Sequence, residues 1–202
     1  MNSERGLKIS KNSIWFGFLI IYVITSYIAQ EAIMPTTVNS LVLYGFLAYS
    51  MFAIVTNGKI KLTPILVWEL IFLAFSFVSM LYSPSFSIFG GTFYVLLVNF
   101  ILVFILTQMP WNELRFNMIM KTYVFSAALL IIILAVTGNL EDSSESGRLG
   151  EELTGNANIL AMMLMVGAVC AIWLLVSENK KSTKVFSAVS LIIVYYGMFL
   201  SG

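Results

Sequence analysis

The sequence predicts an all-α membrane protein, a polytopic bundle of about seven transmembrane helices with its N-terminus in the cytoplasm. Three observations lead there. Of the 202 residues, 59% are hydrophobic and 10% charged, with a mean hydropathy of +0.93, a composition soluble domains do not reach. The apolar residues come in runs of span length, and a bilayer core of roughly 30 Å takes about 20 of them per helix. Lysine and arginine fall almost wholly on one side of the alternation these runs impose.

The first run, 14–29, has a basic flank in Lys8 and Lys11, but Ile28-Ala29-Gln30-Glu31 is a poor site for signal-peptide cleavage, so it reads as a retained helix. Pro35 separates it from the second run, 40–56, which Asn57-Gly58 ends. The third, 65–82, opens after Pro64 and closes at Ser83-Pro84; the fourth, 89–107, closes before Pro110. The fifth, 118–136, runs out at Gly138-Asn139, the sixth, 158–176, at Glu178-Asn179, and the seventh, 185–200, meets Ser201-Gly202. These runs are too long and too continuously apolar for barrel strands, and an open strand edge cannot face lipid, so each is read as a helix. The long polar break, 137–157, lies on the outer face. Residues 1–202 form one integral membrane domain, expected to be the N-terminal part of a larger protein and inactive alone.

With the N-terminus inside, Arg5, Lys8, Lys11, Lys59, Lys61, Arg115, Lys121, Lys180, Lys181 and Lys184 are cytoplasmic and Arg148 alone is outside. Glu31, Glu141, Asp142, Glu145, Glu151 and Glu152 share the outer face. The chain has no histidine, which removes the commonest general base and metal ligand. Its one cysteine, Cys170, lies in an apolar run, reads as a small packing residue and excludes an internal disulfide. The acidic stretch 141–145 lacks the spacing of a calcium loop, and no metal is assigned to it. With 11 basic and 10 acidic residues, no nucleic-acid partner is expected, and no cofactor is implied.

Arg148 stands out as the lone cation on that face. Gly147 and Gly150 beside it let a ligand approach the main chain. Thr154, Asn156 and Asn158 are competent caps for the sixth helix, whose N-terminus offers free N–H groups and the positive end of a dipole. Two readings stand: a solvated loop arginine paired with Glu145, Glu151 or Glu152, or an anion site with the bidentate geometry that suits phosphate. Glu69, inside the third run beside Trp68, is costly in a span, but its nearness to Lys61 favours an interfacial or interhelical role. Asn99 reads as interhelical glue.

The stretch GRLGEELTGNANILAMMLM, 147–165, followed one span later by IIVYYGMFLSG, 192–202, resembles the O-antigen ligase and O-antigen polymerase family of bacterial envelope enzymes. In that family an outer-face loop arginine precedes a Gly-Asn-Pro-Asn helix start, and the next span ends in a Leu-Thr-Gly-Ser-Arg type sequence. Here Ala157 replaces the proline, and the chain stops where the family's serine and arginine would follow. The rest of the chain agrees only in hydropathy and topology. The resemblance implies about 10 to 12 spans in the whole protein, an expectation from fold-level analogy. It also implies glycosyl transfer from a polyprenyl-diphosphate-linked oligosaccharide donor to a glycan or lipid acceptor. The place implied is the outer face of the bacterial cytoplasmic (inner) membrane, with the lipid bilayer as surroundings. Arg148, Gly150, Asn156 and Asn158 would bind the substrate, and no catalytic base is identifiable. The competing classes are a polysaccharide or anionic-lipid transporter or flippase, in which Arg148 binds without chemistry, and a structural membrane subunit. Transporters commonly carry inverted repeats and interrupted helices, and neither is evident.

Overall fold

The computed structural model describes residues 11–29, 33, 35–58, 60–82, 86–137 and 157–201. Among them are seven α-helices and no strand: α1 (Lys11–Ile28), α2 (Thr36–Asn57), α3 (Pro64–Leu81), α4 (Phe86–Gln108), α5 (Glu113–Val136), α6 (Ala157–Ser177) and α7 (Lys181–Ser201). Every apolar run of the sequence has become a helix. Five contain stretches long and apolar enough to cross a bilayer, in α2, α4, α5, α6 and α7, whereas Asn12–Ile28 and Pro64–Ser79 are apolar but shorter. The chain is a multi-pass helical membrane protein.

Several helices outrun their apolar stretches, because a hydrogen-bonded ladder continues wherever its ends are capped. α5 begins at Glu113, five residues before the apolar run. There Asn112, in extended backbone (φ −142°), accepts from the N–H of Arg115 at 2.8 Å, and Glu113 lies at the positive end of the dipole. α3 opens on Pro64, at the first helical position, where a missing N–H costs no hydrogen bond. α2 stops at Gly58, whose N–H still donates to the carbonyls of Ile54 and Val55 and whose φ of +63° turns the following chain out of the helix. Trp15 in α1 and Trp111 before α5 sit within about one turn of helix starts that carry Lys11 and Arg115, and Trp68 and Trp173 lie in the turns of α3 and α6 that adjoin the lysine-bearing breaks. Amphipathic indoles at that level mark a headgroup interface.

The chain divides into two compact units. One holds Tyr44–Pro110 with the start of α1 as far as Trp15; the other holds Phe16–Leu43 and Trp111–Gly202. In the second, α5, α6 and α7 pack against one another, with α6 and α7 sharing the largest interface. Small residues make this approach possible. A Cβ added to Gly167 of α6 would collide with the Cβ of Ala127 in α5, and one added to Gly197 of α7 would collide with Ile131 and crowd Leu164. Leu130, Leu134, Leu160, Leu164 and Val194 are fully buried around these contacts. Cys170 packs with Val124, Ala171 and Leu174, as a small core residue.

The first unit is held differently. The indole N–H of Trp15 donates to the Ser50 hydroxyl of α2 at 2.7 Å, both residues being buried. At the other fixed point the Gln108 amide grips the main chain of Lys61 twice, accepting from its N–H at 2.7 Å and donating to its carbonyl at 2.9 Å. α3 and α4 meet through Phe77 and Phe93, ring centroids 5.7 Å apart. Much of their remaining surface, including Phe72, Phe75, Tyr94 and Val95, is exposed.

Candidate functional site

Of the four residues the sequence nominates for substrate binding, Asn158 falls within the described chain. It is exposed in the first turn of α6, which begins at Ala157. Arg148, Gly150 and Asn156 lie outside the described residues, as do Thr154, Glu31 and the acidic stretch 141–145. The geometry available is therefore that of the helix end onto which this segment runs. From Leu160 on, the α6 start joins a buried hydrophobic cluster with α1, α5 and α7. Leu160 and Leu164 are wholly buried, and the Tyr27 hydroxyl of α1 donates to the Met163 carbonyl at 2.8 Å. The Tyr27 ring meets Tyr123 of α5 edge-on, centroids 6.2 Å apart. With Leu164 also against Gly197 of α7, three helices hold the second turn of α6, and ligand groups carried on rigid elements keep their geometry better than groups on free loops.

At the opposite end of α5 the structure brings together two residues that the sequence reading kept apart. The Lys121 ammonium lies 2.8 Å from a Glu178 carboxylate oxygen in the α6–α7 turn. Lys121 falls inside the apolar run 118–136, and a charge at such a position calls for a partner. That position is the signal in the sequence that points to an acidic partner for Lys121. Phe116, in the first turn of α5, also meets Trp173 of α6 edge-on with ring centroids 6.0 Å apart, so the start of α5 packs alongside the end of α6.

In the other unit, Glu69 of α3 is half-buried beside a cavity of about 570 Å³ that Trp68 and Asn99 of α4 also line. Position along the chain assigns these two polar residues separate structural roles, but they share one hollow between two helices. No hydrogen bond or ion pair involves either of them among the described residues.

Comparison with protein-family models, with curated proteins and with solved structures found no match for this chain. What the molecule can do is therefore argued from its own residues.

Proposed function

We propose that this chain takes part in glycosyl transfer from a polyprenyl-diphosphate-linked glycan in the polymerisation or ligation of a bacterial surface polysaccharide, at the outer face of the cytoplasmic membrane. The proposal takes all seven helices as spans and the N-terminus as cytoplasmic, on the ten-to-one distribution of lysine and arginine. The observation that carries it is the order of residues at the head of α6: Arg148, then Gly150, then Asn156 and Asn158 opening a helix. When the bond from the anomeric carbon to the diphosphate oxygen breaks, negative charge builds on the departing diphosphate. A guanidinium fork and the free N–H groups of a helix start, both preorganised, stabilise that charge in the transition state. The firm seating of the second turn of α6 by Tyr27, Leu160 and Leu164 supports this role, since charge stabilisation depends on fixed donors.

The test replaces Arg148 in a strain that makes the intact protein and examines the length of its surface glycans on a gel. Arg148→Ala is expected to lose about 100-fold to 1000-fold in transfer rate, seen as the collapse of long polysaccharide at matched membrane levels. Arg148→Lys should remain poor because it keeps the charge but loses the fork. Arg115→Ala, at the other end of α5, should matter much less. A second arm places single cysteines at 145 and 180 in a Cys170→Ala background, where an impermeant thiol reagent should label intact cells only at 145. Normal polysaccharide from Arg148→Ala leaves a solvated loop arginine and removes it from the mechanism.

A further inference from the structure

Between α1, α5 and α7, at the end of the second unit that carries its lysines, lies a cavity of about 490 Å³. Its polar lining is Lys121 and Thr122 of α5 with Ser182 and Thr183 of α7, the Thr122 hydroxyl already donating to the Met118 carbonyl; its apolar lining includes Ile24, Phe125 and Phe186. Thr183 is only 9% exposed, yet its hydroxyl has no hydrogen-bond partner among the described residues. Ser182 and Thr183 are the second and third residues of α7, so their N–H groups have no acceptor within the helix. The ladder begins only at Lys184, which donates to the Lys180 carbonyl at 3.1 Å. One turn inward, the wholly buried Ser187 hydroxyl on α7 and Ser126 hydroxyl on α5 also lack partners among the described residues. They continue the polar rows that Thr183 and Thr122 begin at four-residue spacing.

Such a lining asks for an anion. An ammonium retains donors beyond the one given to Glu178, and the α7 start adds its dipole. The sequence at this end agrees: among the described residues, the start of α5 and the α6–α7 turn with the start of α7 carry Arg115, Lys121, Lys180, Lys181 and Lys184 against Glu113 and Glu178. The anion must also carry hydrocarbon, because Phe125 and Phe186 leave 45% and 37% of their surface uncovered beside the polar groups. Trp111 and Trp173, whose rings pack edge-on with Phe16 and Phe116, set the headgroup level at this same end. Basic pockets between helices at that level suit acidic lipid headgroups.

We propose that this cavity binds one acidic phospholipid. Its phosphate lies against Lys121, the Ser182 and Thr183 hydroxyls and the first-turn N–H groups of α7; an acyl chain covers Ile24, Phe125 and Phe186. The site stands apart from the glycosyl-transfer reading, which concerns the other end of α5.

The experiment uses the whole chain purified in detergent, with lipid binding followed by native mass spectrometry and by the thermal midpoint. Phosphatidylglycerol should be retained as one molecule per chain and raise the midpoint; phosphatidylcholine and inorganic phosphate should do neither. Ser182→Asp sets a negative charge where the phosphate belongs while suiting the helix start, so the fold should be kept and the lipid lost. Phosphatidylglycerol affinity should fall about 10-fold or more, the size of one charge-assisted hydrogen bond. Lys121→Gln should act in the same direction. Lys180→Gln removes the same unit of charge outside the lining and should cost clearly less. Equal retention of the two phospholipids, unchanged affinity in Ser182→Asp, or an equal loss in Lys180→Gln would each overturn the proposal. A midpoint raised equally by inorganic phosphate would make it a phosphate site rather than a lipid site.

Discussion

α4 and α6 are alike by composition and unlike in use. The most apolar window of α4 has a mean hydropathy of 2.1 and that of α6 has 2.7, but 6% of the α4 window is buried against 39% for α6 and 44% for α5. In lipid, apolarity brings no two helices together, since acyl chains solvate leucine as well as leucine does. What differs is the pattern of small residues. Gly167, Ala127, Ala128, Ala168, Ala171 and Gly197 let α5, α6 and α7 pack closely, with Gly167 against the main chain of α5 at Tyr123 and Ala127 and Gly197 against the side chains of Ile131 and Leu164. Gly90 and Gly91 of α4 face nothing within 4 Å. Glycine therefore marks a helix contact only where a partner surface meets it.

The contrast can be broken by matched substitutions, each read as the thermal midpoint of the protein in detergent. Leu164→Ala empties a fully buried position and should cost about 2–5 kcal/mol. Its counterpart Leu97→Ala, on a partly exposed face of α4, should stay within about 0.5 kcal/mol. Similar losses at the two positions would mean that α4 is as closely packed as α6.

Overpacking is the next step down. Gly167→Leu must part α5 from α6, at a cost of about 1–3 kcal/mol. Gly91→Leu meets open space and gains helix propensity, so it should be neutral or mildly stabilising by up to about 1 kcal/mol. A stable Gly167→Leu protein would refute the close approach.

The smallest pair sharpens the comparison by reversing it. Ser50→Ala leaves the buried Trp15 indole N–H without an acceptor, worth about 1–3 kcal/mol. Tyr27→Phe removes a donor from the Met163 carbonyl, a group already within a helical ladder, and should cost only about 0.6 kcal/mol. Here the loosely packed unit should suffer more, because an orphaned donor in an apolar setting is more destabilising than a carbonyl that loses its second partner. A larger loss from Tyr27→Phe would contradict that order.

The existence and order of the helices were legible because hydropathy over about 20 residues reports on lipid, a solvent uniform enough to leave a one-dimensional trace. Helix ends were less so: α5 and α7 begin in polar turns, Glu113 and Lys181, that hydropathy assigned to the breaks. Of the nominated site, the helix start beside Asn158 could be read from the apolar run that opens there. The seating of that helix could not, since Tyr27 and Met163 are 136 residues apart.

By itself the sequence determined that this is a helical, multi-pass membrane chain, where its polar breaks fall, and that one arginine stands apart from the other basic residues. Those properties are sums over neighbouring residues, and neighbours in sequence are all they require. Only the tertiary structure decided that Lys121 meets Glu178, that Gln108 grips Lys61, that Glu69 and Asn99 share a hollow, and that Thr183 faces a cavity with no partner. Each depends on which face of one helix meets which face of another. In α4, α5 and α6 the apolar residues run all the way round the helix, so that no single side is marked for burial. The choice of face therefore rests on steric fit between distant small and large side chains.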